Sequence, residues 1–155
     1  MPSKCESITL PDERQAVRIT LPIDPSTLST AQQKKVSFRT RRIFTNKRVA
    51  SGMKAVEILA RPFKGAVESV VPHGTPAFLY VAFYHAYPKG TPRRELVPNA
   101  PMPCGADNDN RIKAPQDALV KAGWFADDSH ITTTLITKRR TLDRPRIVIT
   151  VAPDL

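Results

Sequence analysis

At 155 residues the chain has the length of one domain, and its 41% hydrophobic content is that of a globular protein rather than a disordered one. The longest apolar run, Ala77 to Tyr84, is too short to cross a bilayer, and Cys5 and Cys104 match neither a disulfide scaffold nor a zinc site. The net charge of +10 directs attention to polyanionic partners, with nucleic acid ahead of an anionic membrane surface.

Residues 1–15 show no clear period and are expected to form a flexible N-terminal tail, leaving 16–155 as a single domain. Val17, Ile19 and Leu21 alternate with Arg18 and Thr20, the pattern of a half-buried strand ended by Pro22. A basic arm follows. Between Asp24 and Glu57 there is no acidic residue, while Lys34, Lys35, Arg39, Arg41, Arg42, Lys47 and Arg48 fall there with Phe38 and Phe44 among them. Cations interleaved with aromatics suit a phosphate backbone, so these seven are candidate DNA-binding residues.

Asn46 is placed to cap a helix whose apolar stripe is Val49, Met53, Val56 and Ala60, stopped by Pro62. Gly52 within it costs stability unless it permits a close contact. The segment FLYVAFYHA, from Phe78 to Ala86, is apolar on both faces and reads as a central strand, with His85 a core or edge histidine. A proline-rich loop from Tyr87 to Gly105 carries Lys89, Arg93 and Arg94. Arg93 and Arg94 join the candidate DNA contacts. After the next helix, Ile131 to Lys138 and Arg146 to Val151 read as two strands, expected to form a terminal hairpin. The fold expected is α/β or α+β, a single small domain with a mixed sheet of about four strands against two main helices.

The stretch DNDNRIKAPQDALVKAGWFADDSHI, from Asp107 to Ile131, carries the chemistry. Clustered carboxylates on a basic chain repel one another and gain most from a shared cation. If the backbone is extended there, Asp107 and Asp109 point the same way and can face one ion. Asp128 joins them if the intervening helix returns the chain. Pro115 is comfortable only in a first helical turn, so the helix is expected to begin near Ala114 or to kink there, and Gly123 to end it. Lys113 then sits just before the helix start, where it and the free N–H groups can receive a phosphate oxygen. A turn at Asp107–Asn110 is the competing reading. A calcium EF-hand is excluded, since it needs glycine at Ile112 and glutamate at Ala118.

These residues carry a resemblance. The pattern D-x-D-N-x-x-K, then D-A-L, A-G and D-D-S-x-I is similar to that of the RusA family of Holliday-junction resolvases. Here it comprises Asp107, Asp109, Asn110, Lys113, Asp117, Ala118, Leu119, Gly123, Asp127, Asp128 and Ile131. Cys104, Gly105 and Ala106 stand where members often carry arginines. The resemblance implies a homodimeric, magnesium-dependent endonuclease that nicks four-way DNA junctions symmetrically in recombination and repair, with manganese able to replace magnesium. Asp107, Asp109 and Asp128 would be the metal-binding catalytic carboxylates and Lys113 the essential lysine. The protein is expected to be cytoplasmic and nucleoid-associated. The alternatives are a non-catalytic nucleic-acid-binding protein and a metal-dependent nuclease for flaps or other branched DNA.

Overall fold

The structure, a computed structural model, describes the backbone of residues 2–28, 34–37, 42–45, 47–104 and 108–155. It describes the side chains of residues 2–28, 51–104, 108, 109 and 111–155.

A five-stranded mixed sheet forms the centre. Its strands are β1 (Lys4–Thr9), β2 (Gln15–Leu21), β5 (Ala77–Ala86), β6 (Ile131–Thr141) and β7 (Arg146–Pro153), arranged in the order β1-β2-β7-β5-β6. A separate antiparallel pair, β3 (Lys34–Ser37) and β4 (Arg42–Thr45), is formed by the basic arm. Three helices follow the chain: α1 (Lys47–Ala60), α2 (Lys64–Val70) and α3 (Asn108–Lys121). The class is α+β, with five strands in the main sheet where about four were expected.

Alternation decides which face is buried. Val17, Ile19 and Leu21 of β2, Leu79, Val81 and Phe83 of β5, and Ile147, Ile149 and Val151 of β7 all point to one side and are almost wholly buried. They meet Val56 and Ala60 of α1, Val67 of α2, and Ala114, Ala118 and Leu119 of α3 in one hydrophobic core. The opposite face is held partly by cations over rings: Arg14 lies 5.0 Å from the centroid of Phe78 and Arg146 4.3 Å from that of Tyr84.

Strand β5 is internal, between β7 and β6, as its two apolar faces require. It pairs parallel with β6, and α3 is the crossover between them. This arrangement corrects the expected terminal hairpin: β6 and β7 are not neighbours, because each pairs with a different edge of β5. Residues 1–15, expected as a tail, hold β1, which pairs along its full length with β2 from Lys4↔Thr20 to Thr9↔Gln15. An edge strand satisfies its backbone through one neighbour and needs no apolar face, so β1 shows no hydrophobic period.

Helix α1 ends at Ala60, and Pro62 falls in a 3-10 turn that leads into α2. Asn46, the expected cap, lies outside the described residues. Gly52 is buried, and a Cβ there would come within 2.9 Å of the Thr27 carbonyl oxygen. Helix α3 starts at Asn108, six residues earlier than expected, and Pro115 lies inside it. Pro115 cannot donate to the carbonyl of Arg111 four residues before, and that lost bond is the local cost of the longer helix. Burial of Arg111, Ile112, Ala114 and Pro115 against the sheet favours it nonetheless. The helix stops at Gly123, whose φ of 85° closes a Schellman motif: Gly123 N–H donates to Val120 and Trp124 N–H to Leu119.

Candidate active site

Helix α3 sets out the acidic residues by its own periodicity. Arg111, Ile112, Ala114, Ala118, Leu119 and Ala122 turn inward. Asp109, Lys113 and Asp117, spaced four apart, are left exposed along one outer stripe. Asp109 occupies the first turn, where the helix dipole favours a negative charge. Lys113 is paired with neither Asp109 nor Asp117 among the described residues.

Two expectations are corrected here. The backbone around Asp109 is helical rather than extended, so alternation does not aim it along with Asp107; Asp107 itself lies outside the described residues. Lys113 stands in the second turn of α3 rather than ahead of it, so the free N–H groups of the helix start are not its neighbours.

Asp128 opens a 3-10 turn, Asp128–His130, that leads into β6. Asp127 precedes it as the cap and accepts the Ser129 N–H at 2.9 Å. The two carboxyls interact directly. Their hydrogen bond lowers the pKa of Asp127 and raises that of Asp128, and the charges of Asp127 and then Asp117 push Asp128 further up. Asp117, Asp127 and Asp128 line one open hollow of about 300 Å³ together with Val120, Lys121 and Ala126.

This places Asp128 against the second half of α3. Asp109 lies eight residues before Asp117, about 12 Å along the helix axis. The return of the chain brings Asp128 beside Asp117, in the second half of α3. Among the described residues, no three histidine, cysteine or acidic side chains stand close enough to hold one ion.

The other end of α3 holds a buried cation, Arg111, beside the exposed Asp109. Its first turn lies where the parallel strands β5 and β6 both finish, the position at which α/β sheets hold ligands. Arg111, 3% exposed, is hydrogen-bonded to His85 at 2.8 Å. His85 is indeed a core histidine, and its pKa falls to about 4, first through burial and then through the charge of Arg111.

Of the candidate DNA contacts, Arg93 and Arg94 are exposed on a 3-10 turn, Arg93–Glu95. Lys34 and Lys35 lie on β3, Arg42 on β4, and Lys47 and Arg48 on α1, but their side chains are outside the described residues. Arg39 and Arg41 lie outside them altogether. Sequence reading passed over Lys138, Arg139 and Arg140, taken as a strand end and a polar turn. They belong to β6, which runs to Thr141, and the β-branched Thr137 and Thr141 on either side of them were the available signal.

The fold and this disposition of carboxylates and cations define a small mixed-sheet domain with a solvent-open acidic helix on a basic body. The family model of endodeoxyribonuclease RusA matches residues 22–152. The chain belongs to the RusA endodeoxyribonuclease family, nucleases of Holliday junctions. No individually curated protein matches it. Among the described residues, no helix is long and apolar enough to cross a membrane.

Proposed function

We propose that this protein is a magnesium-dependent endonuclease that cuts four-way DNA junctions, acting as a homodimer in recombination and repair in the cytoplasm. The observation that carries the reading is the family match over residues 22–152, which spans α3 and its carboxylates.

The donor chemistry fits a hard dication. Asp109 and Asp128 are exposed oxygen donors, and the Asp128 pKa is raised first by its hydrogen bond with Asp127 and then by the charges of Asp127 and Asp117, which a cation would relieve. Asp107, Asp109 and Asp128 are the proposed ligands. Bound magnesium, or manganese in its place, supplies an activated water and charge neutralisation at the phosphoryl oxygens. Lys113, on the same outer stripe as Asp109, offers an ammonium to the strained phosphate and steadies its developing charge. Lys34, Lys35, Arg39, Arg41, Arg42, Lys47, Arg48, Arg93 and Arg94 hold the backbone on either side, which positions the DNA without reading its sequence.

The placement of the carboxylates supports the dimer. With Asp109 on the first turn of α3 and Asp128 beside Asp117, a second copy can bring its Asp128 to the Asp109 of the first. A two-fold pair then presents two equivalent sites to two equivalent strands.

The test is nicking of a synthetic four-way junction with magnesium, with EDTA, and with Asp109→Asn. Magnesium-dependent paired nicks, lost in Asp109→Asn while junction binding persists, are expected. Binding without cleavage in any condition would make the protein a DNA-binding module. Preferential cutting of flaps would make it a nuclease for other branched DNA.

A further inference from the structure

We propose that the end of β6, through Lys138 and Arg139, is a phosphate-binding rim that receives the DNA backbone beside the first turn of α3. Strand β6 is closed at this end by the segment before α3. Arg140 N–H donates to Ala100, Met102 N–H to Lys138, and Pro101 bridges to Arg139. The Lys138 ammonium reaches the Cys104 carbonyl at 3.4 Å, and Arg140 reaches the Ala86 carbonyl at 2.9 Å and the Cys104 sulfur at 3.3 Å. The fastened segment and the strand enclose an open hollow of about 220 Å³, lined by Pro101, Met102, Pro103, Asn108, Thr137, Lys138 and Arg139. Asn108 is the first residue of α3, and Asp109 is its neighbour. A cationic hollow therefore adjoins the acidic turn directly.

Preorganisation distinguishes this rim from an ordinary exposed lysine pair. The backbone of Lys138 and Arg139 is fixed in a parallel ladder with Phe83 and Tyr84, and the loop across it is tied down. Ordering has already occurred before DNA arrives, so less entropy is lost on binding. Cations gather at this end of the sheet: Arg111, Arg140 and Lys138 all disfavour a charge on His85, opposed by Asp24. Arg139 forms no ion pair among the described residues. Lys138 and Arg139 leave opposite faces of one strand end, so each can meet its own phosphate of a backbone that runs across it.

The rim rests on the nuclease reading for its orientation, but binding alone tests it. Anisotropy of a labelled four-way junction is measured in EDTA across a salt series for the full chain and for Lys138→Gln/Arg139→Gln. Each lost phosphate contact lowers the slope of log K against log salt by about 0.9. The double variant should lose about 1.8 of slope and bind roughly ten-fold or more weakly near 0.1 M salt. A charge-matched control, Lys4→Gln/Lys54→Gln, should keep the original slope. Equal slopes for the double variant and the unaltered chain overturn the proposal, as does equal loss in the control. Arg139→Gln alone, with a thermal melt beside it, decides the matter should the double variant fold poorly. An unaltered chain that binds junctions and never cuts them removes the nuclease reading, while the slopes still decide the rim.

Discussion

Arg111 and His85 meet in the interior at 2.8 Å, joining the first turns of α3 to the end of β5. Arginine has no acceptor capacity, so its Nη1 donates and His85 Nε2 receives, which fixes the imidazole as neutral. The contact lies two residues from Asp109 and fastens the helix that bears it.

Stability should therefore depend on His85 between its unfolded and folded pKa values. The folded value is depressed to about 4 from 6.5, so across that interval the unfolded chain binds the extra proton. The contribution is complete above pH 6.5 and is lost as pH falls towards 4. The melting temperature should decline through this window, and His85→Gln, which keeps an acceptor and removes the titration, should flatten the decline. Parallel curves for the two proteins would contradict the assignment.

Gly52→Ala should destabilise the fold. Alanine normally favours a helix interior by about 1 kcal/mol over glycine. Here the new methyl would lie 2.9 Å from the Thr27 carbonyl oxygen and 3.0 Å from Leu28 Cδ2, and the backbone oxygen cannot swing aside. Overpacking of this kind costs about 1–3 kcal/mol. Urea unfolding reads the sign: a lower midpoint is expected, and a higher one would show that α1 stands clear of the 3-10 turn Pro25–Leu28.

Trp124→Phe tests the link between α3 and α1. The indole, 2% exposed, donates to the Ala60 carbonyl at 2.9 Å, where α1 ends. Phenylalanine fills much of the space but leaves that buried carbonyl without its donor, a loss of about 1–3 kcal/mol. The unfolding midpoint should drop with an unchanged m-value, and a midpoint identical to that of the unaltered chain would deny the bond its role.

Where burial is one-sided or complete, the sequence was readable. Strand β2 betrays itself by Val17, Ile19 and Leu21, β5 by two apolar faces, and the end of α3 by Gly123. Local rules failed where distant contacts outweigh them. Asn108, Asp109 and Asn110 favour turns and Pro115 opposes a helix, yet the inward residues Arg111, Ile112 and Ala114 gain more from the sheet. Pairing of β6 with β5, between residues 54 or 55 positions apart, leaves no local mark, so a hairpin with β7 looked simpler. The motif brought Asp109, Lys113 and Asp128 into view, but not that Asp128 faces Asp117, because that depends on how the chain returns after α3. Lys138 to Arg140 were hidden by reading the strand as finished too early.

One metal ion is proposed to be held by Asp109 of one copy and Asp128 of another. Asp109→Asn and Asp128→Asn should each be inactive on a four-way junction with magnesium. Mixed and reassembled, half of the dimers are heterodimers, and each of these carries one intact site and one doubly altered site. Nicking should return to about a quarter of the unaltered activity, as single rather than paired nicks. If the mixture stays as inactive as its parents while heterodimers are shown to form, the two carboxylates belong to the same site in the same chain or to no common site at all.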